Sequence, residues 1–110
     1  MKIAVSATGN TLDSLVDPRF GRCAYFIIAD VEGNEIKNVE AVENPAMMIR
    51  GGGIQAIQLV LNKKVEVLIT GNIGPNAVEI LSSRGIKIVI GMPGISVREV
   101  IEKYLKGELE

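Results

Sequence analysis

The chain contains no histidine, no tryptophan and a single cysteine, Cys23. Without histidine there is no Ser-His or Cys-His pair, and the commonest general base near neutral pH is missing. One cysteine cannot close an internal disulfide, and with no histidine beside it a closed structural zinc site, which takes about four such ligands, is excluded. Aromatic residues make up only 4% of the chain, so aliphatic packing must carry its stability. Neither sign of charge dominates: 12 basic residues against 13 acidic ones leave no electrostatic footprint for nucleic acid or for an acidic membrane surface. No apolar run is long enough to span a bilayer, and Met1 to Ser6 pass straight into a strand pattern with no leader-like stretch. The expected setting is the cytoplasm, where a lone thiol stays reduced.

What is present suits a single domain spanning residues 1–110, a length at which one core forms without staples. The organising stretch is Val65 to Ala77: a β-branched run, a turn bracketed by Gly71 and Gly74, and Pro75 at a first helical position, where a missing N–H costs nothing. The unpaired N–H groups of such a helix start can hold an anion, although the spacing of Gly71 and Gly74 is neither a dinucleotide fingerprint nor a P-loop.

Taken in order, Lys2 to Ala7 reads as a central strand covered on both faces. Thr8 to Cys23 is a long loop whose Leu12, Leu15, Val16 and Phe20 offer apolar surface to bury. Ala24 to Val31 and Glu35 to Val42 form a hairpin around Gly33-Asn34, and the charges of the second arm suit a sheet edge. Ala46 to Gly53 is too rich in flexible residues for regular structure and is expected to be mobile. A helix stripe through Ile54, Ile57 and Leu61 precedes strand four at Val65 to Ile69. A helix follows Pro75, Gly85 suits its C-terminal turn, and strand five covers Ile86 to Ile90. The last helix opens on a capping box, Ser96 with Glu99, and a staple of Ile95 with Val100.

The order β-β-β-α-β-α-β-α predicts an α/β fold with a mixed sheet. Strand directions bring the loops at 8–23, 44–53, 70–75 and 91–95 to one end, where open sheets bind ligands. There Arg19, Arg22, Cys23, Met47, Met48, Arg50, Gly71, Asn72 and Gly74 are the candidate binding residues. Two arginines beside Cys23 could lower its pKa and leave a thiolate for a soft metal or iron–sulfur cluster. Equally, Cys23 could be a small buried hydrophobe, with Phe20 plugging the core and Asp17 pairing with an arginine to close the loop. Thioethers of Met47 or Met48, or a second protein chain, could complete the coordination of a cluster that arrives preassembled, unless the methionines serve as core filler. A carboxylate-held metal nuclease is disfavoured, since strand one has no acidic residue and strands four and five have only Glu66.

Several segments together resemble the dinitrogenase iron–molybdenum cofactor-binding family, of the NifX and NifB C-terminal-domain type. They are the opening strand, Asp17-x-Arg19-Phe20-Gly21-Arg22 before a strand with Phe26, Asn44, Gly52-Gly53 entering a helix, Gly71-x-Ile73-Gly74-Pro75-Asn76-Ala77, and Gly85-Ile86-Lys87. The resemblance implies a ribonuclease H-like motif: a five-stranded mixed sheet of order 3-2-1-4-5 with helices on both faces, in three layers. It implies binding or carriage of an iron–molybdenum or iron–sulfur cluster without catalysis, and a cluster donor or acceptor protein as partner. Cys23 and the Met47 to Gly53 segment are then the expected cluster site, with Cys23 as metal ligand and Arg19, Arg22 and Arg50 offsetting its charge. Two other functions fit the same residues: a module binding a small anionic metabolite or nucleotide, and a protein-interaction domain.

Overall fold

The computed structural model describes residues 1–45, 53–91 and 94–109. Five strands and three helices alternate as β1 (Lys2–Ala7), β2 (Tyr25–Glu32), β3 (Glu35–Glu43), α1 (Gly53–Asn62), β4 (Val67–Thr70), α2 (Pro75–Ser83), β5 (Lys87–Ile90) and α3 (Val97–Leu105). The strands form one sheet in the order β3-β2-β1-β4-β5. Antiparallel pairing joins β1 to β2 and β2 to β3, and parallel pairing joins β1 to β4 and β4 to β5. This is the expected mixed α/β sheet, with β1 at its centre and β3 at an edge.

Alternation along β1 divides the core in two, because successive side chains leave a strand on opposite faces. Ile3, Val5 and Ala7 meet Val97, Val100 and Ile101 of α3 on one face. Ala4 lies on the other with Phe26, Leu68, the α1 residues Ala56, Ile57 and Val60, and the α2 residues Ala77 and Leu81. The result is three layers, with α1 and α2 on one side and α3 on the other.

Two local expectations need correction. Gly53 is the first residue of α1, so the helix begins inside the segment read as irregular, and the rest of that segment, 46–52, lies outside the described residues. Leu15 is exposed, whereas Val16 and Phe20 are buried and Leu12 packs against the α3-side core. The reason is backbone pairing: Val16 donates to the Ile95 carbonyl at 2.9 Å and Thr8 to the Leu15 carbonyl at 2.9 Å, which fixes alternate side chains inward and outward. At α3 the Ser96 hydroxyl accepts from the Glu99 N–H at 3.1 Å, the forward half of the capping box. None of the described helices is long and apolar enough to cross a membrane.

Candidate functional site

The carboxyl ends of β1, β3, β4 and β5 lie at one end of the sheet, and the loop of residues 8–24 crosses it before β2 returns. Three anchors hold that loop. Asp17 donates its N–H to the Ser6 carbonyl at 2.9 Å, and its own carbonyl accepts from the Ser6 hydroxyl at 2.8 Å. Phe20 donates its N–H to the Asn72 carbonyl at 3.2 Å, which ties the loop to the turn after β4. The Phe20 ring meets Phe26 edge to face at 5.5 Å between centroids. Gly21 then sits close to the start of α1: a Cβ built there would lie 3.5 Å from the Gly53 Cα.

These anchors leave a pocket of about 620 Å³ between the loop, α1 and α2. Its walls are largely aliphatic, from Ile54, Ile57, Ile73, Ala77 and Ile80, with Phe20 at its base. Ile54 is 64% exposed and Ile80 41%, so apolar surface continues from the pocket onto its rim.

Two sources of positive potential face this apolar space. One is Arg19, whose backbone N–H and Nε both donate to Asp17 Oδ1, at 2.8 and 3.2 Å, while Nη2 donates to Oδ2 at 3.3 Å. Asp17 is 2% exposed, and its carboxylate holds the guanidinium pKa above the ordinary arginine value. The other is the start of α2. Gly74 caps that helix with no side-chain bond and Pro75 has no N–H to give, so the Asn76 and Ala77 N–H groups stand at the pocket wall without helical partners. The start of α3 differs, because the loop consumes its donors: Val97 donates to the Ser14 carbonyl at 2.8 Å and Arg98 to the Leu12 carbonyl at 2.9 Å.

Of the candidate residues, the structure brings Arg19, Asn72 and Gly74 together in the pocket wall, with Gly71 in the same turn. Arg22 is exposed and outside the lining. Met47, Met48 and Arg50 lie outside the described residues. Cys23 matches the second of its two readings, the small buried hydrophobe, and not the thiolate. Its side chain is wholly buried in the helix α1–α2 core, where the thiol donates to the Phe20 carbonyl at 3.4 Å and the Asn44 amide donates to the sulfur at 3.7 Å. Burial, reinforced by the Asp17 charge, pushes the thiol pKa up to about 12, opposite to the lowering expected from the neighbouring arginines. An apolar surround disfavours the thiolate more strongly than arginines pointing elsewhere can favour it. The described residues hold no cluster of three or more His, Cys, Asp or Glu side chains able to bind a metal ion.

Sequence reasoning did not anticipate the aliphatic wall. Ile54 and Ile57 read only as a helix stripe, and the available signal was that Ile54 of α1 and Ile80 of α2 are apolar positions left over once each helix has its buried face.

Fold and pocket together define an α/β protein with an open pocket beyond the carboxyl ends of its parallel strands, the place where open sheets of this kind bind ligands. The family model described as dinitrogenase iron-molybdenum cofactor matches residues 1–107, and the chain belongs to that family. An uncharacterized protein of Methanocaldococcus jannaschii is 38% identical over 111 aligned positions, covering 100% of this chain and 90% of that protein. Among solved structures, the apo form of the orange protein from Desulfovibrio gigas superposes with a TM-score of 0.89 at 39% identity, covering 99% of this chain and 90% of that one. A protein from Thermotoga described as NifB superposes with a TM-score of 0.83 at 38% identity, again over 99% and 90% of the two chains.

Proposed function

We propose that this protein is a non-enzymatic carrier that holds a preassembled iron–sulfur or iron–molybdenum type cluster as cargo in the pocket between the 18–21 loop, α1 and α2. The observation that carries the reading is the pocket's composition: an aliphatic bowl whose wall carries a fixed guanidinium, two backbone N–H groups without a helical partner, and a single carboxylate, that of Glu79, among the described residues. Bridging sulfides are soft, weak hydrogen-bond acceptors, so a cluster packs against aliphatic side chains, while its net negative charge calls for a few donors. Arg19, Asn72, Gly74 and the Asn76 and Ala77 N–H groups supply that second part, and Ile54, Ile57, Ile73 and Ile80 the first. Cys23 is not a ligand in this reading, which rests on its burial and its high pKa. Membership of a family named for the iron–molybdenum cofactor supports the class of cargo. Such a carrier works in the cytoplasm and exchanges its cargo with a donor or acceptor protein.

The test is anaerobic incubation with iron and sulfide, with and without molybdate, followed by desalting, metal analysis and visible spectroscopy. Stoichiometric uptake that survives Cys23→Ala and is lost in Ile54→Asp, at an exposed position of the pocket wall, supports the carrier. Absence of uptake, or uptake abolished by Cys23→Ala in a folded protein, refutes this version of it. A second reading, a module for a small anionic metabolite, is favoured by the open start of α2, and it predicts thermal stabilisation by metabolite anions with no metal present.

A further inference from the structure

The motif Asp17-Pro18-Arg19 places a buried carboxylate two residues before an exposed cation, and neither the cargo nor the family assigns the carboxylate a task. The carboxylate is remote from bulk water, 2% exposed, while the Arg19 side chain is 63% exposed at the pocket wall. Three hydrogen bonds from Arg19 converge on it, from the backbone N–H, Nε and Nη2. The fork therefore engages the guanidinium along its Nε–Nη2 edge, and among the described residues no acceptor meets Nη1. Asp17 is itself immobilised, since its N–H and carbonyl are both bonded to Ser6 in the central strand.

The geometry points to Asp17 as a positioning residue that locks the Arg19 guanidinium edge-on at the pocket, so that the two Nη1 donors meet the cargo at a fixed place above the aliphatic wall. This rests on the pocket being the binding site, as proposed above. An arginine left free on the surface must give up its rotamer freedom when it binds, whereas one already forked to a carboxylate does not. The carboxylate also offsets the cation, so Asp17 trades net charge for placement. That trade separates the inference from simple electrostatics: if only charge mattered, removing the carboxylate would tighten anion binding.

The experiment uses anilinonaphthalene sulfonate, an apolar-bodied anion that reports binding by fluorescence, on the full chain and on Asp17→Asn, Arg19→Met and the double variant. Asparagine keeps the Oδ1 acceptor for the Arg19 backbone N–H but turns a donor toward the guanidinium. Expected are losses of affinity of roughly tenfold for each single variant, about one charge-assisted hydrogen bond, with no further loss in the double variant because Asp17 acts only through Arg19. In parallel, the Arg19 Nε–H resonance is expected to show slow exchange in the unaltered protein and to lose it in Asp17→Asn. Tighter or unchanged binding in Asp17→Asn, or multiplicative losses in the double variant, overturns the inference. Should Asp17→Asn not fold, Arg19→Lys decides, since it keeps the charge without the fork: a loss like that of Arg19→Met supports positioning, and unaltered affinity overturns it. Because the probe contains no metal, failure of cluster uptake leaves this outcome readable, and failure here leaves the uptake result standing.

Discussion

Cys23 is expected to resist alkylation in the folded protein by at least about a thousandfold relative to the unfolded chain. Two separate effects set that figure. The thiolate is the reactive form, and raising the thiol from an ordinary 9.0 to about 12 removes all but roughly one thiolate in a thousand of those an unperturbed cysteine would have near pH 8. The sulfur is also fully covered, beneath Phe20 and beside Asn44, so reagent reaches it only after the 17–23 loop lifts away from β2. Opening breaks the Phe20 contact with Phe26 and the backbone bond to Asn72, which adds to the protection. The assay is iodoacetamide labelling at pH 8 with readout by intact mass, on the folded protein and in denaturant. A folded-state rate within tenfold of the denatured one would refute the argument, and it would return Cys23 to consideration as a metal ligand.

Other outcomes follow from single contacts. Gly91→Ala places a Cβ 2.8 Å from Ile69 Cγ2 and 3.1 Å from Val100 Cγ2, both fixed in the α3-side core, and should cost about 1–3 kcal/mol in urea unfolding. A fully stable variant would show that α3 yields more readily than its packing implies. Ser96→Ala removes the acceptor of the Glu99 N–H and should cost about 1 kcal/mol, seen as a lower Tm. An unchanged Tm would mean that water caps the helix equally well.

Element order and strand direction were legible in the sequence because they rest on local patterns. The β-branched runs, the turn at Gly33-Asn34, Pro75 at a helix start and the Ser96 cap each act within a few residues, and chain direction then follows from hairpin and crossover links. The convergence of the 8–23 loop with the turn after β4 followed from the same directions, and the Phe20 to Asn72 bond records it. The resemblance to the cofactor-binding family added the sheet order, which hydrophobic periodicity does not specify.

Burial was the part that sequence could not supply at the site. Arg19 and Arg22 closely precede Cys23 in the chain, but Arg19 turns to Asp17 and Arg22 to the surface, while the sulfur points into the core. Adjacency along the chain is not adjacency in space when a loop alternates its side chains between inside and outside. The pocket's aliphatic wall is assembled from α1, the turn after β4 and α2, segments that meet only once the sheet is covered. The sequence by itself thus determined which residues form strands, turns and helix starts, since those preferences are settled by neighbours along the chain. Tertiary packing alone decided that the thiol is enclosed and its pKa raised, and that Arg19 and four isoleucines share one pocket, since solvation and long-range contact exist only in the folded state.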